Sequence, residues 1–534
     1  MHTVLLMKRI SLAFFVFVSL ELSAQDRFVV FFQDKVGSTY SIERPEEFLS
    51  KRAIIRRQNQ DIPLAEDDLP VNESYVSLVE SFGIEVFYSS KWFNAVLVQA
   101  NDAQIEEIEA LSIVSSVEYV APNAPLTSRI NEKAEKAELP SDQNRAFTQQ
   151  KMLGIDKMHE FDLRGEGMLV AIFDDGFDNY DHLIAFDHLL RENRLLYTFD
   201  FVSNSIQVNN NFSHGTRVLS ILAAKTEDYE GVIPEASYIL SVTEEVATEY
   251  RIEEYNWLFA AEKADSAGVD VINTSLGYFD YFDDDSMNYS SSQINGETTV
   301  ITQAANFAAS KGILLVSSAG NSGRFVDAPA DSPNAISVGA VNSSGVVATF
   351  SSKGLNNEGV LKPDVMAQGV GTLLVTRGGS VFAQNGTSFS APLVTGLATG
   401  VWQAYPDKSA SEIRQLINAS GSSAQDPQEP FGYGIPSFEK IIALENADGD
   451  VVESFFRPFP NPTTSAIQLQ FDESTFGEKM VVQVINSEGK LVRTSSFVPF
   501  GSRNTVSVEL NRSGIYLIRV ITTSQTLTQR IIKY

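Results

Sequence analysis

The sequence predicts an α/β protein, with a central parallel sheet covered by helices on both faces, a small α+β unit before it and a small β-sandwich after it. Three patterns carry this expectation. Between residues 144 and 445 continuous apolar runs alternate with amphipathic stretches, as strands buried on both faces and their covering helices require. From 26 to 125 short alternating runs and polar helical ones change places repeatedly. After 456 the chain becomes wholly β-like.

In chain order, the first unit reads as a strand at 28–32, helices at 45–58 and 71–82, a strand at 94–99, a helix at 103–111 and a strand at 114–120. Residues 129–145, rich in Lys, Glu, Asn and Gln, read as an exposed linker open to proteolysis. The central domain should hold strands at 168–173, 238–242, 269–272, 313–316 and 335–341, with helices at 251–267 and 298–310. In the tail, strands are expected at 467–471, 480–485, 505–510 and 515–520, with Ser487-Glu488-Gly489 as a hairpin turn. The predicted boundaries are 1–24, 25–128, 129–145 (linker), 146–445, 446–455 (linker) and 456–534.

Segment 1–24 has the form of a secretory signal, because Lys8 and Arg9 precede the apolar run 10–20 and then Leu22-Ser23-Ala24. That run is too short for a membrane span, which needs about 20 residues. The balance of 40 basic against 68 acidic side chains, a net charge of -28, argues against nucleic acid as a partner. With no cysteine, disulfides, thiolate nucleophiles and Cys-ligated zinc are excluded.

Ser388 is the candidate nucleophile. It lies in Gly386-Thr387-Ser388-Phe389-Ser390-Ala391-Pro392, where a small-residue turn meets an apolar helix. Unpaired N–H groups and the positive dipole end at such a junction favour the charge that develops in acyl transfer. Three predicted strands end in further candidates: Asp174 with Asp175 and Gly176, Asn321 after Ser317-Ser318-Ala319-Gly320, and Ser275-Leu276-Gly277 after Asn273 and Thr274. Each alone reads equally as a turn or a cap. Of the five histidines, His2 falls in the signal and His159 lacks a partner four residues on. His182 and His188 each follow an aspartate but have no third ligand in sight, which leaves His214, in Ser213-His214-Gly215-Thr216, as the base.

All five histidines precede Ser388, and position 390 is Ser, so the Gly-x-Ser-x-Gly elbow of the α/β-hydrolases is excluded. The order Asp174, His214, Ser388 and the motifs VAIFDDGFD, SHGTRV, SAGNSG and GTSFSAP resemble those of the subtilisin-like serine peptidases. The resemblance implies that Asp174 orients His214, that His214 is general base then acid, and that Ser388 is the nucleophile. Asn321 and the backbone N–H of Ser388 would form the oxyanion hole. It further implies that Ser275, Leu276 and Gly277 pair with the substrate backbone, and that Ser318, Ala319 and Gly320 line the primary side-chain pocket. Departures are Asp175, where a hydroxyl residue is usual, Ser213 in place of glycine, and Phe389 in place of methionine. Asp175 is expected either to raise its neighbour's pKa or to point into solvent.

By the same resemblance, 25–128 is a propeptide acting as intramolecular chaperone and inhibitor. The tail, with Pro458-Phe459-Pro460-Asn461-Pro462-Thr463 near its start, resembles a type IX secretion sorting domain. The expected protein is a secreted serine endopeptidase at the surface of, or outside, a Gram-negative bacterium. Its partners are protein substrates, its own propeptide and the type IX machinery. The alternative is an inactive binding or adhesion protein on the same scaffold. The chemistry requires no cofactor. Asp280, Asp283, Asp284 and Asp285, in an acidic stretch at 279–297, are candidates for structural calcium but lack EF-hand spacing, and a solvated loop is the plainer reading.

Overall fold

The computed structural model describes residues 25–122, 144–355, 359–447, 456–459, 463, 466–471, 477–486, 490–499, 505–510, 512–522 and 526–533. The expected signal, most of both linkers and the turn Ser487-Glu488-Gly489 lie outside these residues.

Strands β1 (Asp26–Phe32), β2 (Glu85–Ser90), β3 (Ala95–Ala100) and β4 (Val114–Ala121) form an antiparallel sheet in the order β2-β3-β1-β4. Helices α1 (Lys51–Asn59), α2 (Glu73–Glu80) and α3 (Asp102–Glu109) complete the unit. Alternation along β1 sends Phe28, Val30 and Phe32 toward Val79 of α2 and Ile105 and Ile108 of α3. Val29 points the other way, into a core shared with the central domain. The helix expected from 45 to 58 is divided, because Ser50 is extended and its side chain accepts from Ala53 N–H, so α1 starts at Lys51. Strand β2 was not anticipated, since its residues are mostly half-exposed and a register shift interrupts its pairing at Val86 and Tyr88.

The central sheet is wholly parallel. Its strands are β5 (Leu169–Asp174), β6 (Leu195–Asp200), β7 (Ser237–Val242), β8 (Val271–Thr274), β9 (Leu314–Ser318), β10 (Ala335–Val341) and β11 (Val365–Gln368), in the order β11-β10-β9-β8-β5-β7-β6. Every residue of β5 is buried, which is why it reads as a continuous apolar run. Val170 and Ile172 pack with helices α4 (His214–Ala223) and α7 (Thr387–Ala404), whereas Leu169, Ala171 and Phe173 pack with α5 (Ile252–Ala267) and α6 (Val300–Ser310). No helix among the described residues is long and apolar enough to cross a membrane.

Helix α5 is not amphipathic in its surroundings. It is buried nearly all round, with Glu253, Glu254, Glu262 and Asp265 among the buried positions, because the central sheet covers one side and the β1–β4 sheet the other. Two of these carboxylates, Glu262 and Asp265, are matched from the first unit. Asp265 meets Arg56 at 2.5 Å, Arg57 at 2.9 Å and Lys91 at 2.7 Å, and Glu262 accepts from Ser90 Oγ and from the backbone N–H of Lys91 and Trp92. Burial alone would raise the Asp265 pKa, but the three cations hold it well below the usual carboxylate range.

At the C-terminus Phe456–Phe459, Ala466–Phe471 and Thr505–Glu509 form one antiparallel sheet. Met480–Asn486, Leu491–Phe497, Gly514–Ile521 and Thr526–Lys533 form another, and the two share a core around Ile467, Leu469, Val484 and Ile518. The sandwich touches the central domain where the Arg530 guanidinium lies 4.0 Å from the centre of the Tyr405 ring.

Arg57→Met in a full-length precursor carrying Ser388→Ala should cost about 3–5 kcal/mol in denaturant unfolding, because it strips a partner from buried Asp265 and Asp68. A depressed pKa contributes stability above the ordinary carboxylate value and loses it only as pH falls through the lowered one. The precursor's melting temperature should therefore hold from neutrality into mild acid in respect of Asp265.

Candidate active site

Asp174, the last residue of β5, is fully buried, and its Oδ1 accepts from His214 Nδ1 at 2.7 Å and from Asp175 N–H at 2.9 Å. His214 begins α4. The glycine after it is required by proximity: a Cβ at Gly215 would lie 2.5 Å from the Gly176 carbonyl oxygen and 2.9 Å from Asp174 Cβ. The imidazole packs beside the Phe389 ring at 5.5 Å between centroids.

Asp175 does not point into solvent. Its Oδ1 accepts from the backbone N–H of His214 at 3.1 Å and of Gly215 at 3.4 Å, so it caps α4 in place of Ser213, whose side chain makes no capping bond. Burial and the charge of Asp174 push the Asp175 carboxyl up to about 7. Burial lowers the His214 pKa, but Asp174, then Asp175 and Glu244, outweigh it and raise it to about 9.

Ser388 occupies the first turn of α7, where its N–H has no partner within the helix. Pro392 stands four residues later and has no N–H to give the Ser388 carbonyl. The Ser275 hydroxyl supplies that donor at 3.0 Å, and Ser388 Oγ donates in return to the Ser275 carbonyl at 3.4 Å. The first turn of α7 and the end of β8 are thereby joined at one point. Asn321 follows β9, and its Oδ1 accepts from both N–H and Oγ1 of Thr387, at 2.9 and 3.0 Å. Two donors on one amide oxygen fix its orientation, leaving the Nδ2 hydrogens aimed away from Thr387.

The structure thus brings Asp174, His214, Ser388 and Asn321 to the carboxyl end of one sheet, as open parallel sheets favour. Ser275 is buried, Leu276 and Gly277 are half-buried, and Ser318, Ala319 and Gly320 are buried at the end of β9. The remaining described histidines are spoken for or peripheral: His159 bonds the Val232 carbonyl, His188 the Pro234 carbonyl, and His182 is exposed. The stretch 279–297 is not simply solvated, since Phe279, Phe282, Met287 and Tyr289 are buried. Its aspartates do not converge: Asp280 pairs with Arg324, Asp283 accepts from Glu249 N–H, Asp284 from Ser286 N–H and Asp285 from Asn288 Nδ2. Sequence reasoning missed Thr387, though it sits inside the GTSFSAP motif, and Glu244, which lies just past β7 and accepts from Tyr278 Oη and Thr243 Oγ1.

Fold and site together define a serine endopeptidase of the parallel α/β kind. Residues 165–435 match the subtilase family profile, about half of the chain, and the protein belongs to that family. Residues 27–138 match the peptidase S8 propeptide domain of Bacteroidota, and 457–534 match a secretion-system C-terminal sorting domain. Alkaline elastase YaB from Bacillus sp. (strain YaB) is 25% identical over 76% of this chain and 94% of its own length. Subtilisin E from Bacillus subtilis (strain 168) is 33% identical over 39% of this chain and 51% of its own length. The crystal structure of the epidermin leader peptide processing serine protease from Staphylococcus aureus shares the fold, with TM-score 0.53 at 16% identity, covering 80% of this chain and 100% of that one. The protein is a secreted serine endopeptidase carrying a propeptide domain, exported to the cell surface or beyond.

Ser275→Ala should leave the buried Ser388 carbonyl unpaired and cost about 1–3 kcal/mol in thermal unfolding. Because catalysis needs neutral imidazole, kcat/KM should rise with pH through a value above the ordinary His pKa. Asp175→Asn, which removes one of the charges raising it, should move that limb to lower pH.

Proposed function

We propose that Ser388 attacks the substrate carbonyl while His214 accepts its proton at Nε2, held by Asp174 in the tautomer with hydrogen on Nδ1. The 2.7 Å bond to a fully buried carboxylate carries this reading. Rotation about the Ser388 Cα–Cβ bond exchanges the long 3.4 Å bond to Ser275 for one to the imidazole. The developing oxyanion takes Asn321 Nδ2 and the Ser388 N–H, both pre-set and neither requiring reorganisation. His214 then gives its proton to the leaving amine, and water hydrolyses the acyl-enzyme by the same relay. The substrate backbone runs along Ser275, Leu276 and Gly277, with its side chain entering beside Ser318, Ala319 and Gly320.

Domain limits of 25–128 for the propeptide, 146–445 for the peptidase and 456–534 for the sorting domain fit this reading. The first unit acts as intramolecular chaperone and inhibitor, supported by its buried ion pairs to α5. The last is addressed to the type IX machinery. The relay uses no metal. The grouped carboxylates of Glu244, Glu249 and Glu253 suit structural calcium better than the aspartates of 280–285.

Ser388→Ala should abolish casein hydrolysis and fluorophosphonate labelling; undiminished activity would refute the nucleophile. Asn321→Ala should lower kcat by about 10²–10³, a magnitude inherited from the equivalent donor of subtilisin. Active enzyme should begin between residues 129 and 147, and N-terminal sequencing of fully active material that starts at Gln25 would contradict the maturation scheme.

A further inference from the structure

We propose that Asp327 selects a lysine or arginine side chain at P1, the substrate residue whose carbonyl Ser388 attacks. The proposal rests on the peptidase reading above and concerns the floor of the same cleft. Two glycines separate the acid from the expected substrate path. A Cβ at Gly277 would lie 2.7 Å from Asp327 Cβ and 3.2 Å from its Oδ2, and a Cβ at Gly320 would overlap the same carboxylate oxygen. Asp327 therefore underlies both walls of the pocket, the Ser275-Leu276-Gly277 edge and the Ser318-Ala319-Gly320 turn. Its own backbone is fixed there, because Asp327 N–H donates to the Ala319 carbonyl at 3.2 Å and Ala328 pairs with Tyr278.

The carboxylate is unspent. Among the described residues no side chain forms an ion pair with it. Arg324 acts on Asp327 only through space: its two Nη atoms bond both oxygens of Asp280 at 3.0 Å, and its guanidinium lies over the Phe279 ring at 5.6 Å. Burial raises the Asp327 carboxyl to about 7, a penalty that a cationic side chain entering the pocket would relieve. An apolar side chain would instead leave the acid desolvated with no partner, which disfavours it.

The test uses the mature enzyme and four peptide amides that differ only in P1: Lys, Arg, Leu and Phe. Lys and Arg substrates should show kcat/KM at least about tenfold above the other two, the range of one charge-assisted bond. In Asp327→Asn and Asp327→Ser that advantage should fall about 10- to 100-fold, with P1 Lys and Arg turnover falling, P1 Leu turnover rising, and fluorophosphonate labelling retained. A wild-type preference for Leu or Phe overturns the proposal, as does a basic preference that survives both substitutions. Loss of labelling and of every substrate alike in both variants assigns the acid to the fold and also overturns it. Wild-type enzyme that neither labels nor cleaves any of the four would instead refute the peptidase reading.

Discussion

The hydrogen bond from His214 Nδ1 to Asp174 Oδ1 joins the last residue of a fully buried strand to the first residue of a helix, and neither end is free to adjust. Its acceptor is enclosed and its donor ring is braced by Phe389, so the imidazole has one orientation relative to the sheet. The surrounding sequence serves this contact. Gly215 lets the helix start come within reach, and Asp175 satisfies the backbone N–H groups there while adding a second negative charge. A raised imidazole pKa follows from placing a base between two acids.

A second constraint aligns the other half of the site. Pro392 removes a helical donor at the position where Ser388 needs its carbonyl satisfied from outside, and Ser275 does so from the end of β8. Thr387, one residue earlier, holds the Asn321 amide from the end of β9. Ser388, the end of β8 at Ser275 and Asn321 are thus registered against one another through the first turn of a single helix. Such short-range bonding holds reacting groups within the tolerance that acyl transfer demands.

Much of this was legible beforehand, for physical reasons that also mark where legibility stops. Strands buried on both faces announce themselves as apolar runs, so β5 and β10 stood out, whereas half-exposed β2 and the edge strand β6 carried no comparable signal. The family motifs singled out Asp174, His214, Ser388 and Asn321, because each motif sets one polar side chain beside small residues, and the structure gathers the four at one end of the sheet. Asp175 was misjudged because a capping role depends on where a distant helix begins. Asp327 left no trace in the sequence: its setting comes from Gly277, which is distant in sequence, and Gly320, which is near, the two meeting at its carboxylate only in the fold.

Helix α5 offers a last consequence. While the linker is whole, the first unit is tethered beside the acids it neutralises, at an effective concentration in about the millimolar range. Severing the tether makes the same contacts bimolecular, and outside the cell dilution then works against them. Glu262 and Asp265, hydrated once uncovered, no longer require lysine or arginine partners, so reassociation must strip that water again. Under the maturation scheme proposed above, the buried ion pairs would act as a ratchet: firm before the cut, and increasingly hard to re-form after it.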